Sequence, residues 1–145
     1  MFLDDLIKLL EDQGVGVGGT NIFGSSLARI PAGDGPYLSV TETGGGGPEG
    51  THNAAAQGRL PAYQRPNAQL YFRAKTYIAA RTMADAAYAA IVRVGQKSQF
   101  VNGVWWRSAV PLQEPFDMGV ESGTGRALVA FNIAVVKRPN AAMSQ

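Results

Sequence analysis

Residues 65–91, RPNAQLYFRAKTYIAARTMADAAYAAI, contain two hydrophobic periods in succession, and the change from one to the other decides the fold. The first part alternates between apolar and polar side chains, which predicts a strand with one buried face. Its apolar positions are Ala68, Leu70, Phe72 and Ala74. In the second part apolar residues recur at steps of three and four, which predicts a helix with one buried side. That side consists of Tyr77, Ala80, Ala84, Ala87, Tyr88 and Ile91.

The predicted helix carries the expected signals at both ends. Thr76 stands where an N-cap residue bonds the first free amides, and Gly95 stands where a helix commonly ends. The many alanines allow its backbone to lie close to a sheet. No catalytic group falls on the buried side of the strand or the helix. This part of the chain therefore favours a scaffold for contacts over a scaffold for chemistry.

The remaining segments complete an α+β fold, a mainly antiparallel sheet with two helices packed on one face. A first helix is predicted at residues 2–13, with Leu3, Leu6, Ile7 and Leu10 inward and Asp4, Asp5 and Lys8 outward. Strands are predicted at residues 22–27 and 37–43, a hairpin with an Asn102-Gly103 turn at residues 99–106, and a last strand at residues 126–138.

The last strand is apolar on both faces, which indicates that both faces are covered. With only two long helices predicted, we expect a neighbouring copy to provide part of that cover. Trp105 and Trp106 point to opposite faces of the hairpin, so one of them needs cover outside the core. The sequence thus indicates a subunit that associates with copies of itself.

Two segments are predicted to be loops, and the first of them, residues 44–63, has no hydrophobic period. The glycine-rich residues 44–63 include the only histidine, His52, which we interpret as a solvated loop residue because one histidine makes neither a metal site nor a triad. Residues 114–125 include Glu114, Asp117 and Glu121, which would suit a paired-carboxylate hydrolase but are more often solvated or bonded to backbone amides. Residues 14–19 match G-x-G-x-x-G without the strand and helix that a dinucleotide site needs, so we interpret them as a connection.

Length and composition fit one domain, residues 1–145, with residues 139–145 predicted to fray. The absence of cysteine excludes disulfides and thiolate metal sites. No apolar run approaches the roughly 20 residues of a membrane helix, and the acidic start is unlike a targeting peptide.

Charge is distributed unevenly along the chain. Residues 1–58 contain seven acids and two bases, whereas residues 59–145 contain eleven bases and four acids. Either this is an ordinary solvated surface, or the acidic side of one subunit meets the basic side of the next in a head-to-tail contact. The bases are scattered singly, which disfavours a nucleic-acid module.

Several short motifs occur along nearly the whole chain in a familiar order. They are FLDDLIKLLEDQG at residues 2–14, Thr43-Gly44-Gly45 with Pro48, Arg65-Pro66-Asn67-Ala68-Gln69-Leu70 with Arg73, Tyr77-x-Ala79-Ala80, Asn102-Gly103 in an aromatic hairpin, Pro115-Phe116 through Gly119, and Gly125-Arg126 with Asn132 and Val135. This order resembles the tail-terminator (minor capsid, tail-completion) proteins of long-tailed bacteriophages.

The resemblance implies a structural virion protein of the tail and neck, without enzyme activity, cofactor or metal, that is assembled in the host cytoplasm. It implies a homohexameric ring that caps the tail tube, stops its polymerisation and docks the head-completion protein. Genomic DNA would pass through the lumen without sequence-specific binding. A head-closure or neck connector remains an alternative, and a small hydrolase using the acids of residues 114–121 is a third.

Under this interpretation two groups of residues are candidates for contacts. The predicted subunit-interface residues are Gln69, Tyr71, Arg73, Trp105 and Asn132. The residues predicted to contact the tube, the lumen or the neck are Gly45, Glu49, His52, Asn53 and Arg59.

Overall fold

A computed structural model describes residues 2–24, 30–49 and 63–139, which form two helices and seven strands. The helices are α1 (Phe2–Asp12) and α2 (Tyr77–Gly95). The strands are β1 (Ile22–Gly24), β2 (Tyr37–Glu49), β3 (Tyr63–Ala74), β4 (Gln99–Val101), β5 (Val104–Pro111), β6 (Phe116–Val120) and β7 (Ala127–Lys137). Most of the predicted frayed tail, and residues 25–27 of the strand predicted at residues 22–27, lie outside the described residues.

The seven strands form one sheet in the order β1-β2-β3-β7-β5-β4. Only the short β1–β2 pair is parallel, and the other pairs are antiparallel. β5 and β6 lie one after the other along the same edge of β7. Buried side chains of both helices belong to one core cluster with one face of the sheet. The predicted α+β architecture, with two helices on one face, is therefore confirmed.

The centre of the core lies where α2 crosses β3 and β7. Phe72 of β3 stacks on Phe131 of β7 with ring centroids 5.9 Å apart, and Tyr88 of α2 meets Phe131 edge-on at 5.8 Å. Leu70 lies directly opposite Phe131 in the register, so both side chains point toward the helices. The alternation predicted for residues 68–74 is the alternation observed, with all four apolar positions completely buried.

α2 packs unusually close to the sheet, as its alanines predict. Thr76 is the N-cap, and its hydroxyl accepts a hydrogen bond from the Ala79 amide. At the other end, a Cβ added to Gly95 would lie 1.9 Å from the carbonyl oxygen of Ala109. Tyr77 was expected to be buried but is 42% exposed, because it lies in the first turn, where its hydroxyl accepts from Arg81 in solvent.

α1 packs its apolar side on the sheet beside β1, β2 and β4. Leu3, Leu6 and Leu10 are buried as predicted. Asp5 was expected on the outer side of α1, and this was wrong. Asp5 is only 1% exposed, because it faces the hairpin turn and accepts a hydrogen bond from Asn102 Nδ2 at 3.0 Å.

The predicted hairpin is confirmed as β4 and β5, with Asn102 and Gly103 both at positive φ. Such a turn matches the natural twist of two antiparallel strands. Trp106 is 1% exposed and contacts Phe2 of α1. Trp105 lies on the opposite face, where Phe100 of the same chain covers it edge-on with centroids 4.9 Å apart.

Part of each predicted loop belongs to a strand in the structure. Residues 44–49 continue β2, where Gly46 pairs with Arg65 and Glu49 with Tyr63. Residues 116–120 form β6, which pairs with the first part of β7. Glycine has no side chain to show a period, so the pairing of residues 44–49 left no hydrophobic pattern, whereas Phe116, Met118 and Val120 do alternate with Asp117 and Gly119.

Candidate interaction surface

The sheet has an outer face, opposite to α1 and α2, that carries most of the predicted interface residues. Gln69 lies directly opposite Asn132 across β3 and β7, and Tyr71 lies opposite Ala130. Gln69, Tyr71 and Asn132 are half-buried. Burial raises the pKa of the Tyr71 hydroxyl above its usual value, and the charge of Glu121 adds to this. These three polar side chains form one continuous row on the outer face.

Arg73 belongs to the same face, but its contacts are inside its own chain. It is 7% exposed, and its guanidinium donates to the Pro31 carbonyl and to Glu121 at 3.3 Å. It also lies over the Tyr37 ring, 5.7 Å from the centroid. Arg73 therefore joins β2, β3 and the end of β6, and the subunit contact predicted for it would have to displace these bonds.

Glu121 is the centre of the polar cluster that holds Arg73. The Thr124 hydroxyl donates to Glu121, and Arg126 lies 3.7 Å from its carboxylate. The hydrogen bond from Thr124, followed by the charges of Arg73 and Arg126, lowers the pKa of Glu121 below its usual value. Arg126 also meets Asp34 at 3.6 Å. This cluster fixes the chain after β6 against the outer face.

One end of the outer face, at the end of β7, is basic and aromatic. Arg107 lies 5.5 Å from the centroid of the Tyr63 ring, in a cation–π contact. Arg138 follows β7, and its amide donates to the Trp105 carbonyl at 2.8 Å. Phe100, beside Trp105, is 70% exposed. We call this the arginine–aromatic end, formed by Tyr63, Arg65, Phe100, Trp105, Arg107 and Arg138.

At the start of β7 the sheet presents exposed apolar side chains together with acids, with Phe116 on the outer face, opposite Ala130, and Asp117 and Val120 on the helix side, opposite Val129 and Ala127. All five residues of β6 are exposed, including Phe116, Met118 and Val120 at 37%, 44% and 68%. Among the described residues, no strand pairs with the second edge of β6. We call this the acidic–apolar end, formed by Phe116, Asp117, Met118, Val120 and Glu121.

Exposed apolar side chains continue between the two ends. Val110 is 44% exposed and lies opposite Ala134, and Leu112 is 53% exposed. At this point the sheet changes from β5 to β6, and the Gln113 side chain accepts from the Asn132 amide. The described residues thus cover the apolar second face of β7 only partly, since Asn132, Ala134 and Val136 remain half-buried.

A second open edge runs along the glycine-rich part of β2. β1 pairs only with residues 38–40, so among the described residues nothing pairs with the outer edge of residues 41–49. Gly45 and Glu49, two of the predicted tube or lumen contacts, lie on this edge. His52, Asn53 and Arg59 lie outside the described residues.

A buried polar cluster on the helix side was not foreseen from the sequence. Lys137 is 2% exposed, and its ammonium donates to Gln64 at 3.2 Å and to the Arg138 carbonyl at 3.3 Å. Burial lowers the pKa of Lys137 below its usual value, while the charges of Asp5 and Glu42 oppose that change. The sequence signal was available, since Lys137 continues the buried alternation of Val129, Phe131, Ile133 and Val135.

The described carboxylates form no recognisable catalytic arrangement. Asp117 accepts a hydrogen bond from the Gly119 amide, as expected for an acid in a glycine-rich turn, and Glu121 binds two arginines. No group of three His, Cys, Asp or Glu suited to a metal ion occurs within residues 2–24, 30–49 and 63–139.

A groove of about 380 Å³ lies on the helix side. Its described lining consists of Val15, Asn21, Pro36, Ala79, Thr82, Met83 and Ala86. Acid–base chemistry needs a group that exchanges protons near the reacting atoms. None of these described lining residues supplies such a group.

Comparison with known proteins adds no further assignment. No protein-family model and no curated protein matches the chain. In the described parts of the chain, neither helix is long and apolar enough to cross a membrane.

Proposed function

We propose that the chain is a structural virion subunit that forms a ring at the end of a phage tail tube. The ring stops tube polymerisation and provides the docking surface for the head. The observation that carries the proposal is the outer face of the sheet, where exposed apolar side chains lie beside an open strand edge. Such surfaces are typical of protein–protein contacts.

The motifs that carry the resemblance support the proposal, and they fall in regular elements of the fold. The opening motif forms α1, the R-P-x-x-Q motif forms β3, and the closing motifs form β6 and β7. β3 and β7 present the row of Gln69, Tyr71 and Asn132 to a neighbour. The open edge of β2, with Gly45 and Glu49, is available to the tube, the lumen or the neck.

The partners in this proposal are further copies of the chain, with six in the ring, the tail-tube protein and the head-completion protein. Genomic DNA passes through the ring without base recognition. The specific contacts of the subunit are therefore with other proteins. The proposed location is the tail or neck of the virion. Neither a cofactor nor a metal is part of the proposal.

Native mass measurement and negative-stain microscopy test the ring directly. We expect a closed ring whose mass is a multiple of the 15.3 kDa chain, with six copies. Added to growing tail tubes, the ring should bind one end and stop elongation. A chain that stays monomeric at every concentration and leaves tube growth unchanged would refute the proposal.

A second measurement distinguishes a tail terminator from a head-closure connector. Tagged protein should be recovered with isolated tails if it caps the tube. Recovery with DNA-filled heads, and not with tails, would assign the subunit to head closure instead.

A further inference from the structure

We infer that the acidic–apolar end of one copy docks on the arginine–aromatic end of a second copy. The inference rests on the proposed ring and specifies which surfaces join its subunits. The two ends lie at opposite ends of β7, whose eleven residues span about 35 Å at the rise of a β-strand. A contact between them uses different surfaces on the two partners, so it repeats head to tail and can close a ring.

The two ends are complementary in charge. Arg107 and Arg138 are exposed at one end, and Asp117 is exposed at the other, whereas the charge of Glu121 is already balanced by Arg73 and Arg126 of its own chain. Opposite charges across an interface favour one partner and one orientation, and like charges placed together cost several kcal/mol. Two arginine–aromatic ends would therefore repel each other.

Both ends also expose apolar surface that a contact would cover. Phe100 is 70% exposed at one end, and Val120 is 68% exposed at the other. Arginine and aromatic residues are enriched at the centres of protein interfaces. The open edge of β6 offers backbone amides and carbonyls in addition, which a neighbouring chain can pair with.

This docking differs from the head-to-tail contact predicted from charge along the sequence, in which the acidic residues 1–58 of one subunit meet the basic residues 59–145 of the next. The acid that matters, Asp117, belongs to the basic part of the sequence, residues 59–145. The fold separates it from Arg107 and Arg138 because β6 pairs with the start of β7, whereas these two arginines lie near its end.

A charge exchange between the two ends tests the docking. Val120→Lys places a cation at the acidic–apolar end, and Arg107→Glu places an anion at the arginine–aromatic end. Each single variant should weaken self-association at least about tenfold, as sedimentation velocity over a wide concentration range measures. The double variant should recover most of the lost association, because its two ends are again opposite in charge.

Two matched controls carry the same changes on other surfaces. Ile78→Lys adds a cation at a residue of α2 that is 77% exposed, and Lys75→Glu reverses an exposed cation between β3 and α2. Both should associate like the unchanged chain. Thermal unfolding of every variant shows that the domain remains folded.

The outcomes separate this inference from the proposed ring. Unchanged association in both single variants overturns the docking and leaves the ring in place, whereas a chain that never associates overturns both. A particle that stops at two copies shows a two-fold contact and overturns the head-to-tail order. If Arg107→Glu abolishes binding of a mixed-sequence single-stranded oligonucleotide and leaves association unchanged, the arginine–aromatic end is a nucleic-acid surface instead.

Discussion

Asp5 and Lys137 show how single residues on the helix side create a charged site inside an otherwise apolar core. Both are at least 98% buried, at 1% and 2% exposure, and Asn102 and Gln64 bond their charged groups. Removing a charge from water is costly unless charged or polar partners replace the water. The cluster therefore makes the stability of the domain depend on the protonation of Lys137.

Replacing Lys137 tests this dependence in the alkaline range. The folded-state pKa of Lys137 lies below the usual value of 10.5, so between those two values the unfolded chain binds more protons. Stability contributed by this residue therefore rises with pH through that window and is at its lowest below the folded-state pKa. The difference in unfolding free energy between the protein and Lys137→Met, from urea titrations at several pH values, should shift in favour of the protein as pH approaches 10.5. A difference that is constant with pH would contradict the burial of the ammonium.

At Gly95 the helix and the sheet approach each other closely. Alanine is normally the better helix residue by about 1 kcal/mol. Here its Cβ would lie 1.9 Å from the backbone oxygen of Ala109, so we expect Gly95→Ala to destabilise the domain by about 2 kcal/mol. Chemical denaturation measures the loss. Gly44→Ala, with no atom within 4 Å of the added Cβ, is the control and should change stability by less than about 0.5 kcal/mol.

Among the elements, β6 depends most on long-range contacts. It carries no buried residue of its own, and its attachment comes from pairing with β7 and from the bond between Glu121 and Arg73. An exposed strand with such limited support belongs to the least stable part of a fold. Arg73 thus controls whether the acidic–apolar end keeps its shape.

We expect Arg73→Met to lower the unfolding free energy by about 1–3 kcal/mol, because it removes the hydrogen bonds that this buried guanidinium donates to the Pro31 carbonyl and to Glu121. Hydrogen exchange should increase first in the amides of β6. Arg81→Met, which breaks an exposed pair with Asp85 on α2, should cost less than about 0.5 kcal/mol. If exchange in β6 is unchanged, Arg73 does not hold this strand.

The role of Arg73 within its own chain affects how the subunit contact predicted for it can be tested. A variant such as Arg73→Glu would disturb the fold of β6 and the assembly of the ring together, so loss of assembly alone would not identify Arg73 as a contact. Gln69 and Asn132, which are half-buried on the outer face and do not belong to the cluster of Arg73 and Glu121, are better positions for testing that prediction.

For the whole molecule, the separation of charge between the two ends of β7 implies association that responds to salt. Exposed charges are screened over about 10 Å at 0.1 M ionic strength and over about 3 Å at 1 M. We therefore expect the assembled fraction to decrease as sodium chloride is raised through this range, measured by sedimentation velocity. Assembly held by apolar contact alone would be unchanged or stronger in high salt, and that outcome would exclude the charged ends as the main contact.

Local sequence signals determined most of the elements of this protein. The alternation before Ala74, the period of three and four after Thr76, and the Asn102-Gly103 turn each depend on residues within a few positions, and all three are confirmed. The apolar character of β7 on both faces was also readable, because alternate side chains of a strand must point to opposite faces.

Tertiary structure alone decided the strand character of residues 44–49, the burial of Asp5 and the use of Arg73 within its own chain. Each depends on a partner distant in sequence: Glu121 is 48 residues from Arg73, and Asn102 is 97 residues from Asp5. Hydrophobic period measures only which side of an element is apolar. It carries no information on which charged groups the folded sheet brings together. The contacts of Asp5 and Arg73 were therefore visible only in the folded structure.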